Sequence, residues 1–311
     1  MTALLPVRQE PPEFEPIHTP VVVASAVPPA AWRYFVSPAL ITVAAILLGL
    51  TLNVTGISWA VHRSAQKAGL DALRVDLARA TAPVGQLSGG KLLPLGTPVA
   101  VLRIPAIGLD EVVFEGTTGG VLMSGPGHQR DTALPGQAGT AIIQGRAAAY
   151  GGPFGRLDRL MPEDRITVLT GQGESTYRVT GSRRAGDAVP PPVEPGSGRL
   201  TLVTAAGTPF LPTGVLRVDA ELVSTAYPNP PRALPAGSID VSETALAVDA
   251  SINTMWVLVL GLQGLLAAAA GATWSRRRWG AARTWIVFAP LISVFGLLVA
   301  EHVVRLLPNL L

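Results

Sequence analysis

The sequence predicts a mainly β-structured domain that folds as a closed barrel and is held at a membrane by three α-helices. Two observations support this fold class. Between residues 97 and 224, short runs rich in β-branched residues are separated by glycine and proline. Long apolar stretches flank that region, one before it and two after it, and the whole chain is 48% hydrophobic and only 14% charged. That composition is more apolar than the composition of a typical soluble protein.

The apolar stretches predict membrane-spanning helices at residues 34–58, 254–274 and 285–304. The first two carry no charged residue, and each is long enough to cross the roughly 30 Å of hydrocarbon in a bilayer. Trp256 and Trp274 bracket the second stretch, as aromatic residues at a membrane interface often do. The third stretch is shorter and places Glu301 near the interface.

The basic residues predict how the chain crosses the membrane. The loop 275–284 between the last two spans holds Arg276, Arg277, Arg278 and Arg283. Because arginine-rich loops stay on the cytoplasmic side, we expect this loop and residues 1–33 to be cytoplasmic and the β domain to be extracellular. Arg63 and Lys67 follow the first span and weakly favour the opposite orientation. The prediction is a multi-pass protein of the plasma membrane with an extracellular β domain.

Three segments lie outside the spans and the β domain. Residues 1–33 are rich in proline and glutamate without periodicity, which predicts a disordered tail. Residues 62–96 are assigned as a helical stalk and linker, because three leucines share one helical face. They are Leu70, Leu73 and Leu77. This helix could instead pack on the β domain or contact a partner. Residues 225–253 are proline-rich and predict a linker to the membrane.

Within residues 97–224 the pattern predicts seven strands and one short helix. The strands are expected at residues 99–104, 111–115, 140–144, 165–169, 176–181, 200–204 and 216–223, and the helix at residues 154–161. Seven or more strands in so short a domain favour a closed barrel, because closure leaves no exposed strand edge.

The composition argues against several kinds of site. The chain contains no cysteine, so it has no disulfide, no thiolate metal ligand and no cysteine nucleophile. Its histidines are too scattered in sequence for a zinc site. They are His18, His62, His128 and His302. The net charge is +3, and the loop 275–284 alone holds four arginines. Membrane topology explains this positive charge without a nucleic-acid partner. We therefore expect no metal, no cofactor and no nucleic-acid partner.

Several separated motifs of the β domain resemble those of the sortases, the cell-wall transpeptidases. They are VLRIPAIGLDEVVFEGTT, GPGHQRDTALPGQAGTAIIQG, YGGPFGRLDRLMPEDRITVLT, YRVTG and RLTLVTA. Their order and spacing are most similar to the actinobacterial, class E-like type. The resemblance covers residues 97–223 and implies a sortase-like eight-stranded β-barrel with short helices.

The resemblance also implies where the catalytic residues should stand, and there this chain departs from the family pattern. Sortases use a cysteine nucleophile, a histidine that protonates the leaving amine and an arginine that stabilises the oxyanion. Counting back from the YGGPF motif at Tyr150 puts Arg146 at the histidine position. The strand LTLVTA puts Ala205 at the cysteine position. Aligning the last strand puts Gly214 or Val215 at the arginine position.

These replacements remove all three chemical roles. A methyl group cannot attack a carbonyl carbon. A guanidinium stays protonated at biological pH, so Arg146 cannot exchange a proton as an imidazole does. Arg217 is the nearest arginine on the last strand but comes two or three positions late, and strand alternation need not point it into the site.

Other polar side chains near these positions are candidates for a binding groove. His128 is the only histidine of the β domain, and we expect it to have a structural role. Thr204 and Thr208 flank Ala205, but a threonine nucleophile needs a neighbouring base, and none is adjacent in sequence. The candidate groove residues are Arg146, His128, Thr204, Thr208, Arg217 and Tyr150, with no catalytic residue among them.

The sequence thus favours a surface-displayed pseudo-sortase that acts as a non-catalytic binding or assembly module for cell-envelope or secreted proteins. A secreted or membrane protein, or a peptide, would occupy the groove by strand addition or side-chain pockets, and Arg146 would suit a carboxylate. The helices would contact the lipid bilayer. Two alternatives stay open. The chain could be an active transpeptidase or hydrolase with unconventional residues, or a structural subunit whose groove is filled by the loop 207–214.

Overall fold

The structure is a computed structural model that describes residues 33–248 and 252–311. The side chains of residues 33–39, 54, 55 and 277 also lie outside this description. The predicted disordered tail, residues 1–33, therefore lies outside the described residues except for Arg33, whose backbone begins the first helix.

Eight strands close into a barrel, as the sequence predicts. They are β3 (Pro98–Ile104), β4 (Leu109–Glu115), β5 (Gly127–His128), β6 (Gly139–Gln144), β7 (Arg165–Thr170), β8 (Gly173–Arg183), β9 (Gly198–Thr208) and β10 (Leu211–Leu222). A two-stranded hairpin, β1 (Leu87–Ser88) and β2 (Lys91–Leu92), precedes them. The barrel order is β10-β8-β7-β3-β4-β5-β6-β9. The pairs β4–β5 and β6–β9 are parallel, and the other pairs are antiparallel.

Two local predictions differ from the structure. The helix predicted at residues 154–161 is only a single 3-10 turn, Leu157–Arg159, because Pro153 and Gly155 before it and Pro162 after it leave no room for a longer helix. Strand β5 was not predicted, since its two residues are too few to show a hydrophobic alternation.

Strand alternation separates the barrel core from the outer surface. In β9, Leu200 and Leu202 are fully buried in the barrel core together with Ile143 of β6 and Val218 of β10. Val203 and Ala205 point to the opposite face and belong to a second hydrophobic cluster outside the barrel. This second face carries the candidate site.

The helix before the barrel packs on the barrel wall. It comprises α1 (Arg33–Leu52), a π-helical turn (Asn53–Ile57) and α2 (Ser58–Ala78). Gln66 of α2 donates to the carbonyl oxygens of Val112 and Ser124, at 3.1 and 2.9 Å. A Cβ atom at Gly69 would lie 2.7 Å from the Phe114 ring, so this glycine permits the close approach. The sequence left three roles open for this helix: a stalk, packing on the β domain, or contact with a partner. In the structure, α2 packs on the β domain.

Two long helices follow the barrel, α4 (Ile252–Trp279) and α5 (Ala281–Arg305). Among the described residues, only Ile252–Arg276 and Ala281–Arg305 are long and apolar enough to cross a membrane, judged by length and composition. The prediction of three spans is therefore corrected to two. In the predicted first span, the described part of the apolar helix is Leu40–Leu52, and the backbone of α1 begins at Arg33.

Candidate functional site

A groove runs along the outer face of β6, β9 and β10, beside the helix α3 (Gly119–Ser124). Its floor is made by aliphatic side chains that alternate away from the barrel core. They are Ile142 on β6, Val203 and Ala205 on β9, and Val215 on β10. Ala205 lies directly opposite Val215 in the β9–β10 ladder, whereas Gly214 pairs with Ala206 after an irregularity at Pro212. Val215, rather than Gly214, therefore shares the groove face with Ala205.

Arg146 closes one end of this groove. Its side chain is only 1% exposed, although it follows β6 by two residues. Nη1 donates to the main-chain oxygen of Leu311 at 2.9 Å, and Nη2 donates to the carbonyl oxygen of Gly119 at 3.1 Å. The guanidinium carbon lies 5.0 Å from the centroid of the Tyr150 ring, within the range of a cation–π interaction.

The guanidinium of Arg146 is contacted by main-chain oxygens and an aromatic ring. None of the ion pairs formed among the described residues involves it. Burial lowers the pKa of Arg146 to about 10, so the side chain is still protonated at neutral pH. Burial also raises the pKa of Tyr150, so its hydroxyl stays neutral. Two main-chain oxygens and one aromatic face thus surround a buried cation.

The chain itself fills the groove at Ala205. After α5, residues 306–311 turn back to the barrel, and the buried side chains of Leu310 and Leu311 pack in the cluster that contains Ala205. The amide N–H of Ala147 donates to the carbonyl oxygen of Leu310 at 2.8 Å. The side-chain amide of Asn309 donates to the carbonyl oxygens of two threonines, one just after β4 and one in the segment that follows the barrel. They are Thr117 at 3.0 Å and Thr244 at 2.9 Å.

This occupant is not the one that the sequence analysis considered. The loop 207–214 was expected to fill the groove in the occluded alternative, but its large side chains face solvent, with Leu211 72% exposed. Residues 306–311 were missed because they directly follow a predicted span. The available signal was Pro308, which cannot continue the helix, followed by a polar residue and two leucines.

The segment after the barrel forms a second wall of the groove. It was predicted as a proline-rich linker to the membrane, and the structure shows it attached to the barrel at several points. Thr117 Oγ1 donates to the carbonyl oxygen of Glu243 at 2.6 Å, and the N–H of Gly237 donates to Asp131 at 2.6 Å. Ala245 and Leu246 pack against the same hydrophobic cluster as Ala205.

Two cavities remain beside the filled part of the groove. The larger, about 440 Å³, continues along the floor past Ile142 and Val203 and is also lined by Arg217. Arg217 thus lies on the groove face, opposite Val203 in the ladder. Burial and the neighbouring Arg183 lower the pKa of Arg217. The smaller cavity, about 120 Å³, touches Ala205 and Thr208.

The remaining candidates lie away from the groove or are already bonded. His128 is fully buried inside the barrel, with Nδ1 2.9 Å from Glu115 Oε2 and Nε2 2.9 Å from the carbonyl oxygen of Ala133. Burial disfavours its charged form, but the Glu115 carboxylate outweighs burial and raises the pKa of His128. The Thr204 hydroxyl is buried and donates to the carbonyl oxygen of Gly145 at 2.9 Å. Of the candidates, Thr204 and Thr208 line the smaller cavity and Arg217 lines the larger one. Arg146 contacts Leu311 and Tyr150, and His128 lines neither cavity.

Comparison with known proteins defines the class of this domain. The family model for the Sortase domain matches residues 102–211, which run from within β3 to the first residue of β10. This part of the barrel is therefore similar to the Sortase domain, and solved structures similar to the chain are sortases.

Among individual proteins, sortase D of Bacillus subtilis (strain 168) is 30% identical over 84 residues, which are 27% of this chain and 41% of that protein. The chain thus spans less than half the length of this curated relative. The Clostridium perfringens sortase D5 transpeptidase is 20% identical, with a TM-score of 0.42 over 53% of this chain and 99% of that one. Sortase E from Streptomyces avermitilis is 33% identical, with a TM-score of 0.37 over 43% and 92%.

Proposed function

We propose that this protein is a membrane-anchored pseudo-sortase of class E-like, actinobacterial type, which binds or assembles secreted or cell-envelope proteins without catalysing transpeptidation. The observation that carries the proposal is the chemistry of the groove. Where the sortase resemblance expects a thiol, an imidazole and an oxyanion-stabilising guanidinium, this groove presents the methyl group of Ala205, the buried cation of Arg146 and the aliphatic side chain of Val215.

The nearby hydroxyl groups support a non-catalytic role. Thr204 donates its proton to the Gly145 carbonyl, and a peptide carbonyl is not a base that could activate it. Thr208 shares the smaller cavity with Asp158, but the hydrogen bonds among the described residues include none between these two side chains. His128 is bonded through both ring nitrogens inside the barrel. Among the described residues, no base is therefore hydrogen-bonded to the Thr204 or Thr208 hydroxyl to accept its proton.

The groove nevertheless has the features of a peptide-binding site. Residues 306–311 occupy it through main-chain hydrogen bonds and apolar side-chain contacts together, a combination common in peptide recognition. The larger cavity extends the same floor beyond this segment and offers Arg217 to an acidic or carbonyl-rich partner.

The arrangement of the helices supports the proposed orientation. Helix α4 begins after the segment attached to the barrel, and α5 leads back to the barrel through residues 306–311. The loop 275–284 therefore lies at the far end of the α4–α5 pair. If both helices span the membrane, the arginine-rich loop and the barrel are on opposite sides, which suits a cytoplasmic loop and an extracellular barrel.

The proposal is tested with the full chain reconstituted in lipid nanodiscs. Sorting-signal peptides are incubated with it, and both cleavage and transfer to an amine nucleophile are followed by mass spectrometry, with an active sortase as the positive control. We expect no turnover. A photoreactive residue at Arg217, introduced in cells, should capture a secreted or membrane protein. Peptide turnover that is abolished by Thr208→Val would overturn the non-catalytic role.

A further inference from the structure

Residues 306–311 form a segment that makes specific hydrogen bonds and apolar contacts with the barrel side of the groove. Helix α5 ends at Arg305, and Pro308 prevents the helix from continuing. The following residues are almost fully buried. They are Asn309, Leu310 and Leu311. We call residues 306–311 the return segment.

The return segment makes three kinds of contact: apolar side-chain contacts, side-chain amide hydrogen bonds and a main-chain hydrogen bond. The last two leucines of the return segment contact an apolar pocket of Leu122, Val203 and Ala205. The side-chain amide of Asn309 donates one proton to each of two carbonyl oxygens, and an aliphatic side chain could not do so. The main-chain oxygen of Leu310 accepts from the Ala147 N–H. The pocket therefore selects an asparagine followed by two large aliphatic residues.

The return segment also completes the surroundings of Arg146. A buried cation needs acceptors for its N–H groups, because leaving them unpaired away from water is costly. Arg146 has two such acceptors, and one of them is Leu311 of the return segment. If the segment left, Arg146 would keep only the Gly119 carbonyl and the Tyr150 ring. Water or another chain that offers a main-chain oxygen would then have to take the place of the Leu311 oxygen.

We propose that the return segment is an intramolecular ligand that keeps the groove closed, and that the segments able to displace it are extended peptides with an asparagine followed by two aliphatic residues. This inference rests on the proposed binding function. Because the Ala147 N–H, the Arg146 Nη1 and the apolar pocket are all occupied in the closed state, the return segment and an incoming peptide compete for one site.

The absence of native cysteine gives a direct test. In Ala205→Cys the chain carries a single thiol, which the return segment covers in the closed state. Maleimide labelling of this thiol is timed in nanodiscs, alone and combined with Leu310→Asp. We expect labelling to be faster by about tenfold or more with Leu310→Asp, because burying one leucine side chain shifts an equilibrium by at least that factor.

The matched control is Leu211→Asp, which makes the same chemical change at an exposed position of the neighbouring loop. It should leave the labelling rate of Ala205→Cys unchanged. A second reference thiol, Met161→Cys, lies at an exposed position that lines neither cavity and should label at one rate in all backgrounds. Equal labelling of Ala205→Cys with and without Leu310→Asp would overturn the closed state.

The specificity is tested in trans. In a variant of Ala205→Cys that lacks residues 306–311, the peptide LLPNLL should restore protection of the thiol, and the peptide LLPALL should do so at least about tenfold less well, since two hydrogen bonds are lost. Equal protection by both peptides would overturn the asparagine selection. If the return segment opens as expected but a photoreactive residue at Arg217 captures no protein, the binding function fails while the intramolecular ligand stands.

Discussion

Two buried charged sites of this protein are built in opposite ways. Inside the barrel, His128 faces the carboxylate of Glu115 and a backbone carbonyl, and every partner belongs to the barrel. At the groove, Arg146 has no acidic side chain as a partner among the described residues and depends on the main-chain oxygen of Leu311, which lies 165 residues away in the sequence. The first site is complete within the domain. The second is complete only when the return segment is in place, which is the property expected of a site that exchanges ligands.

The largest effect that separates the two sites should come from Glu115→Leu. It leaves His128 buried without its carboxylate, and breaking one partner of such a buried pair costs about 3–5 kcal/mol. We expect the free energy of barrel unfolding to fall by that amount in denaturant titrations of the full chain in detergent. Labelling of the Ala205→Cys thiol should not change under native conditions.

The control for this substitution is Glu163→Gln. Glu163 also pairs with a cation, Arg178 at 3.5 Å, but both side chains are largely exposed. Exposed pairs contribute at most about 1 kcal/mol, so the unfolding free energy should barely move. Equal losses for Glu115→Leu and Glu163→Gln would show that the barrel site is not the self-contained unit described above.

Arg146→Met should have a smaller effect on barrel stability and a larger effect on the groove. The carbonyl oxygens of Gly119 and Leu311 lose their donor, which costs about 1–3 kcal/mol, while the burial of a charge is relieved. We expect the Ala205→Cys thiol to label faster by about tenfold, as the corresponding shift in the closed state implies. Unchanged labelling would mean that Arg146 does not hold the return segment.

The pH dependence of the unfolding free energy should distinguish the His128 site from the Arg146 site, with a smaller effect than the substitutions above. The pKa of His128 is raised in the folded protein, so the folded state binds the proton more tightly than the unfolded chain. Its stabilising contribution is therefore complete below the ordinary histidine pKa of about 6.5 and is lost as the pH rises through the raised value. The stability difference between the native chain and His128→Gln should shrink from pH 5.5 towards alkaline pH. A difference that grows with pH would contradict the assignment.

The barrel was predictable from the sequence to a degree that the groove was not. Alternation along β9 marks Leu200 and Leu202 as core residues without any knowledge of their partners, and the sortase resemblance places Ala205, Arg146 and either Gly214 or Val215 at one site. The contacts of Arg146 could not be predicted, because they join residues 146 and 311, and no local periodicity encodes such a pairing. The attachment of the linker after Val223 could not be predicted for the same reason, since it depends on single bonds such as the one from Thr117 to Glu243.

The smallest effects are expected at the two hydroxyl groups beside Ala205, and they decide whether the groove is only a binding site. Thr204→Val removes the bond to Gly145 and should cost about 1 kcal/mol of barrel stability. Thr208→Val alters an exposed side chain and should change stability by less than about 0.5 kcal/mol. Neither variant should change the labelling of the Ala205→Cys thiol or the capture of partners at Arg217. If either hydroxyl were a nucleophile, its loss would abolish a peptide-processing activity while leaving partner capture intact, so measuring both in the same membranes separates catalysis from binding.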